Sequence, residues 1–129
     1  MRRRAFGVSA SNAASRRAAS RSTSAAFSKT LERAEWPVSR IACGELADEI
    51  ARLKTEKGGY LLAHGGAKFA QALSREGLVD EYRLVIQPAA LGDGLALFKD
   101  LPSRLALELV EAHTYSTGAA IHVYRPRRG

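Results

Sequence analysis

The chain has 129 residues, 46% apolar and 26% charged, which fits one globular domain and leaves no room for a multidomain enzyme. No apolar run approaches the roughly 20 residues that cross a bilayer, so no membrane span is expected. The net charge of +7 is unevenly placed: Arg2, Arg3, Arg4, Arg16, Arg17 and Arg21 fall in residues 1–26 with no acid, and the remaining 14 basic and 13 acidic groups nearly cancel. That division excludes an extended phosphate-binding face on the body and makes nucleic acid a poor expectation as its partner.

Residues 1–26 are dominated by Ala, Ser and Arg, and Phe6 and Val8 are their only large apolar residues beyond Met1. Such a stretch buries too little to offset ordering entropy and is expected to be a disordered or weakly helical tail. Its composition is compatible with a transit peptide. A basic arm for anionic partners and a plain solvated tail fit it too, and the solvated tail is the reading preferred.

The body starts with "AAFSKTL" (25–31), a short strand ending in hydroxyl and basic residues, and a second strand follows at "SRIAC" (39–43). Cys43 is the single cysteine; it excludes an internal disulfide, reads as a small apolar packer and suits a reduced, cytoplasmic setting. "GELADEIARLKTEKGG" predicts a helix with Gly44 as N-cap. Its acids Glu45, Asp48 and Glu49 lie at the positive end and Lys54 and Lys57 at the negative end, with an apolar stripe of Leu46, Ile50 and Leu53. Tyr60 to Ala63 is a continuous apolar run, as for a strand covered on both faces. A second helix over about residues 66–76 packs through Phe69, Ala70 and Leu73 and stops at Gly77. "EYRLVIQ" (81–87) alternates, with Tyr82, Leu84 and Ile86 on one side. "LALELVEAHTY" and "GAAIHVY" predict a terminal antiparallel hairpin turning at "STG". The order is α/β with right-handed crossovers.

Two places invite chemistry. His64-Gly65-Gly66-Ala67-Lys68 follows a strand and opens a helix, where free N–H groups and the helix dipole attract phosphate oxygens and bare backbone permits close approach. A tight turn uses glycine equally well. Ser28-Lys29-Thr30 ends another strand; two hydroxyls around an ammonium suit a phosphate monoester, and a capped turn is the alternative. His64, His113 and His122 lack metal-ligand spacing, no nucleophile elbow is present, and Asp80 and Glu81 point to opposite faces as strand neighbours. The stretch 88–98 reads either as a loop near a ligand or as a β-turn.

The segments "FSKTLERAEWPVSRI", "GELADEIARLKTEKGGYLLAHGGAKFAQALSREGLVDEYRLVIQPAALGDGLALF" and "LELVEAHTYSTGAAIHVYRP" together resemble the dihydrofolate-reductase-like family, nearest the reductase domain at the C-terminus of the bifunctional riboflavin-biosynthesis deaminase–reductase. The resemblance covers about residues 27–126. It implies a three-layer sandwich, mostly parallel with a C-terminal antiparallel hairpin, that uses NADPH to reduce a pteridine- or pyrimidine-like or other small acceptor. It further implies that Ser28, Lys29 and Thr30 meet the 2′-phosphate, that Gly65, Gly66 and Ala67 line the pyrophosphate, and that homodimers form. No catalytic residue and no metal ligand follow from it. Residues 1–26 match none of the family's opening pattern, so the domain is expected to be truncated, to lack a central strand and much of its substrate pocket, and to turn over weakly. A catalytically inactive remnant with partial dinucleotide affinity and a basic-tailed nucleic-acid-associated protein are the alternatives.

Overall fold

The computed structural model describes residues 6–9, 24–27, 39–42, 44–56, 59–63 and 66–127. In chain order these form β1 (Phe6–Ser9), β2 (Ser24–Phe27), β3 (Ser39–Ala42), α1 (Leu46–Thr55), β4 (Leu61–Ala63), α2 (Ala67–Arg75), β5 (Glu81–Ile86), β6 (Leu107–Thr114) and β7 (Ala120–Pro126). Five strands make one sheet in the order β4-β1-β5-β7-β6, and β2 and β3 pair as a separate two-stranded sheet.

The fold is α/β as expected, but the larger sheet is mixed rather than mostly parallel. β1 runs parallel to β4 and β5, β7 runs antiparallel to β5 and β6, and β2 and β3 are parallel. The antiparallel part carries the longer ladders because a hairpin needs only a tight turn, whereas each parallel pairing here is limited to a three- or four-residue strand.

Residues 1–26 are not wholly a disordered tail, and the central strand is not missing. Phe6–Ser9 occupies that central position, with Phe6 beside Leu61 and Val8 between Ala63 and Tyr82 in register. Four residues with a glycine among them carry little strand propensity of their own. Between β4 and β5, however, their backbone N–H and C=O groups find partners on both sides, and that pairing overrides local preference.

Both helices feed one core. The stripe expected on α1 delivers buried Ile50 and Leu53 with Leu46 packed beside them; α2 delivers Ala70 and Leu73; Ala63, Val79 and Tyr82 close the cluster. Glu45, not Gly44, is the N-cap of α1, and its carbonyl accepts from the Glu49 N–H at 3.1 Å. The stop of α2 is a full Schellman motif. The Leu78 N–H donates to Leu73 O at 3.0 Å and the Gly77 N–H to Ser74 O at 3.2 Å, with Gly77 at φ +64 where a side chain would be strained. Inside the core the Tyr82 hydroxyl donates to Ser74 Oγ at 3.1 Å and Ser74 Oγ donates to Ala70 O at 2.8 Å. Burial pushes the Tyr82 phenol above its ordinary pKa, and the bond to Ser74 opposes this only in part.

The terminal hairpin turns where "STG" predicts. Tyr115 O accepts from the Gly118 N–H at 2.9 Å, the Tyr115 N–H donates to Ala119 O at 2.8 Å, and Gly118 takes φ +84, a turn closed by a glycine bulge. A second irregularity falls within β6: Leu109 faces Tyr124 and Glu111 faces Val123, so Val110 is an extra residue in the ladder.

Candidate nucleotide-binding edge

Because β1, β4 and β5 are parallel, their carboxyl ends at Ser9, Ala63 and Ile86 share one edge of the sheet. Ligands in open α/β sheets bind beyond such ends. β4 ends here at Ala63, and α2 begins four residues later at Ala67. Gly66 is its N-cap, extended at φ −68 and ψ 170, with no side-chain cap. Its carbonyl accepts from Phe69 N–H at 3.1 Å and Ala70 N–H at 3.2 Å, so the N–H groups of Ala67 and Lys68 precede the first helical bonds. A Cβ added to Gly66 would meet nothing within 4 Å, so the space beside it is open.

The charge pattern points the same way. The first turn of α1 carries Asp48 and Glu49, which offset its own dipole; the first turn of α2 carries no acid. The positive end of α2 therefore has no acid in its own first turn to offset it, and the exposed Lys68 adds positive charge there.

Of the residues proposed from sequence, Gly66 and Ala67 stand at this helix start, while Gly65, Ser28, Lys29 and Thr30 lie outside the described residues, as does His64. β2 ends at Phe27, whose ring packs on Phe69 with centroids 5.3 Å apart. Phe27, the last described residue before Ser28, thus touches the first turn of the helix that Gly66 opens.

The long connection between β5 and β6 is anchored on α2 and on the start of β5. The Gln71 side chain, buried on α2, donates from Nε2 to Ala96 O at 2.6 Å, and Phe98 packs edge-to-face on Tyr82 at 5.2 Å. Gln71 was not predicted; a polar residue inside an otherwise apolar stripe was the available signal.

A second charged group was also missed. Asp80 and Glu81 do point apart: Asp80 pairs with Lys54 at 2.7 Å, and Glu81 accepts from Arg83 Nε at 2.7 Å and Arg125 Nη2 at 3.1 Å. Burial acts to raise the Glu81 pKa, but the hydrogen bonds from Arg83 and then Arg125 outweigh it and hold the carboxyl below its ordinary value. This cluster lies at the start of β5, the end of the strand away from the helix turn. Elsewhere on the sheet His122 Nδ1 lies 3.1 Å from the Tyr124 hydroxyl on β7, the strand-face placement expected of it. Among the described residues no group of three or more His, Cys, Asp or Glu could hold a metal, and no helix is long and apolar enough to cross a membrane.

A family model of the RibD C-terminal domain matches residues 10–121. The chain belongs to that family. The RibD C-terminal match begins inside the stretch that the sequence reading set apart. Among curated proteins, the chain is similar to two uncharacterized proteins of Bacillus subtilis (strain 168). YyaP is 38% identical over 79 residues, 61% of this chain and 42% of that protein, and YwjB is 32% identical over 75 residues, 58% and 43% respectively. The matched region spans less than half the length of either relative.

Among solved structures, a Shewanella sp. PV-4 protein described as belonging to riboflavin biosynthesis superposes with a TM-score of 0.72 at 19% identity, covering 98% of this chain and 76% of that one. A pyrimidine reductase-like protein from Corynebacterium diphtheriae gives 0.52 at 20% identity over 70% of this chain and 40% of that one. At these identities the likeness establishes a shared RibD-type fold.

Proposed function

We propose that the chain is an NADPH-dependent reductase domain that passes hydride to a small pteridine- or pyrimidine-like acceptor. The observation that carries this is the start of α2: an uncapped Gly66 beside open space, no acid in the first turn, and Phe27, the residue before Ser28, packed on Phe69 of the same turn. Membership of the RibD C-terminal family supports it. In this reading Gly65, Gly66 and Ala67 take the pyrophosphate on backbone N–H groups. Ser28, Lys29 and Thr30 take the 2′-phosphate, which selects NADPH over NADH. NADPH, when bound, supplies the hydride; the protein's part is to hold ring and acceptor in line, since alignment carries much of the rate. The strand at Phe6–Ser9 removes the missing-strand argument for weak turnover.

Calorimetry with NADPH and NADH tests the assignment. Binding of NADPH tighter by tenfold or more, abolished by Ser28→Ala with Lys29→Ala, is the expected result. Equal affinities, or binding that survives both substitutions, would remove the 2′-phosphate site. NADPH oxidation in the presence of a reducible pyrimidine or pteridine then tests catalysis.

A further inference from the structure

The connection from Gln87 to Ala106 contains no helix or strand. Within it Asp93 stands between Gly92 and Gly94, and all three residues are exposed. The Gly94 N–H donates to Asp93 Oδ1 at 2.7 Å. That contact sets a backbone nitrogen beside the side-chain carboxyl of the preceding residue, the two groups that can close into a five-membered imide ring. Among the described residues the Gly94 N–H makes no backbone hydrogen bond, so no part of the fold must break for the nitrogen to react.

Ring closure needs two further things, and this turn has both. The nitrogen must be unhindered. Gly94 carries no side chain, and a Cβ built there would meet nothing within 4 Å, so the approach is open. The backbone about Asp93 must also rotate, and Gly92, at φ +77, and Gly94 give it that freedom on both sides. The other aspartates lack this combination. Asp48 lies inside α1 and is followed by Glu49, whose N–H is committed to Glu45 O at 3.1 Å. Asp80 pairs with Lys54 and is followed by Glu81, the buried first residue of β5. Asp100 is followed by Leu101, whose side chain hinders the nitrogen.

We propose that Asp93 is a modification site, isomerising to isoaspartate through a succinimide closed on Gly94. Gly94 N bonds to Asp93 Cγ, and the amide proton leaves with one carboxyl oxygen and its proton as water. Water then opens the ring. Breaking the new Cγ–N bond restores aspartate. Breaking the bond between the Asp93 main-chain carbonyl carbon and Gly94 N leaves the chain running through the side chain, with a free α-carboxylate. No oxidant or cofactor enters, and the mass is unchanged. The product lengthens the backbone by one carbon just ahead of Ala96. Because Gln71 holds Ala96 and Phe98 packs on Tyr82, the change stays within the exposed tip. A free α-carboxylate on such a segment is a substrate for a carboxyl methyltransferase that uses S-adenosylmethionine.

The test is incubation of the full chain for weeks in warm neutral buffer, followed by digestion with trypsin. Cleavage after Arg83 and Lys99 releases residues 84–99, in which Asp93 is the only aspartate. That peptide should split into two chromatographic peaks of equal mass. The new peak should accept a methyl group from S-adenosylmethionine in the presence of isoaspartyl carboxyl methyltransferase. The peptides holding Asp48, Asp80 and Asp100 should stay single. Asp93→Glu, which would have to close a six-membered ring, should abolish the second peak, and Gly94→Ala should slow its growth severalfold. Both variants alter only exposed positions, so the fold is kept. A single peak for residues 84–99 after incubation overturns the proposal. So does equal growth in Gly94→Ala, which would take the open nitrogen out of the reaction. Equal methyl acceptance by the other aspartate peptides also overturns it, since the change would then belong to the chain at large and not to this turn.

Discussion

Arg125 stands one position beyond the Tyr82–Tyr124 register pair and donates from Nε and Nη2 to a single oxygen of Glu81, at 3.2 and 3.1 Å, while Arg83 donates to the other oxygen at 2.7 Å. Glu81 is buried and both arginines are largely exposed. The cluster therefore joins the start of β5 to the end of β7 through a carboxylate that must stay ionised. Its folded pKa is lowered, so its stabilising effect is present above the unfolded value and is lost as pH falls through the folded one. Urea midpoints should drop between neutral pH and about pH 3, and Glu81→Gln should shrink that drop while losing about 1–2 kcal/mol at neutral pH. Parallel pH profiles for the two proteins would mean that Glu81 contributes nothing.

Two glycines flank α2 and should respond oppositely to alanine. Gly77 adopts φ +64 in the Schellman turn, so Gly77→Ala strains the backbone and should cost about 1 kcal/mol in denaturation, with nucleotide affinity unaffected. Gly66 is extended with φ −68 and faces open space, so Gly66→Ala should leave stability within about 0.5 kcal/mol. Its methyl group would fill the room proposed for the pyrophosphate, and NADPH affinity should fall at least tenfold. If Gly66→Ala binds NADPH as before, the turn is merely tight.

How much of this was legible in the sequence differs by element, for physical reasons. The Leu46, Ile50 and Leu53 spacing and the Phe69, Ala70 and Leu73 spacing specified two helices because each repeats at the helical period and faces the core. The hairpin was legible because its glycine marks a turn with a defined backbone requirement. Phe6–Ser9 was not legible, since its strand character comes from two neighbours more than fifty residues away in the chain. Val79 also escaped: it lies between a helix stop and a strand start, where no period operates, yet it is almost wholly buried. Near the candidate site the glycine-marked start of α2 was legible from its place after an apolar strand, but the bond from Gln71 to Ala96 was not, because it is a contact across 25 residues.

Tyr82 connects the sheet to α2 by a hydrogen bond as well as by its ring. Replacing it with Phe removes the donor to Ser74 Oγ but keeps the packing against Phe98 at 5.2 Å. Tyr82→Phe should cost about 1 kcal/mol, because Ser74 retains its own bond to Ala70 O. The ultraviolet titration of the folded protein should lose one late-ionising tyrosine, since burial raises the Tyr82 pKa above its ordinary value. A variant whose titration curve superposes on that of the parent would place the raised pKa on another tyrosine.

Lys54 ties the last turn of α1 to the segment leading into β5 through two different acceptors. Its ammonium pairs with Asp80 at 2.7 Å and donates to the backbone carbonyl of Leu78 at 2.8 Å, and both charged side chains are about one-fifth exposed. Partial burial keeps salt from screening the pair fully. It also means that the Leu78 carbonyl, just past the Schellman turn, would lose a charged donor along with the ion pair if Lys54 were removed. Lys54→Met, which preserves the aliphatic stem, should therefore cost about 1–2 kcal/mol, more than Asp80→Asn, which leaves the Lys54–Leu78 bond in place. Denaturation of the two single variants and the double variant resolves the contributions: the double variant should resemble Lys54→Met alone, since the Asp80 interaction is already gone. Equal losses for the two single variants would show that the carbonyl bond adds nothing beyond the ion pair.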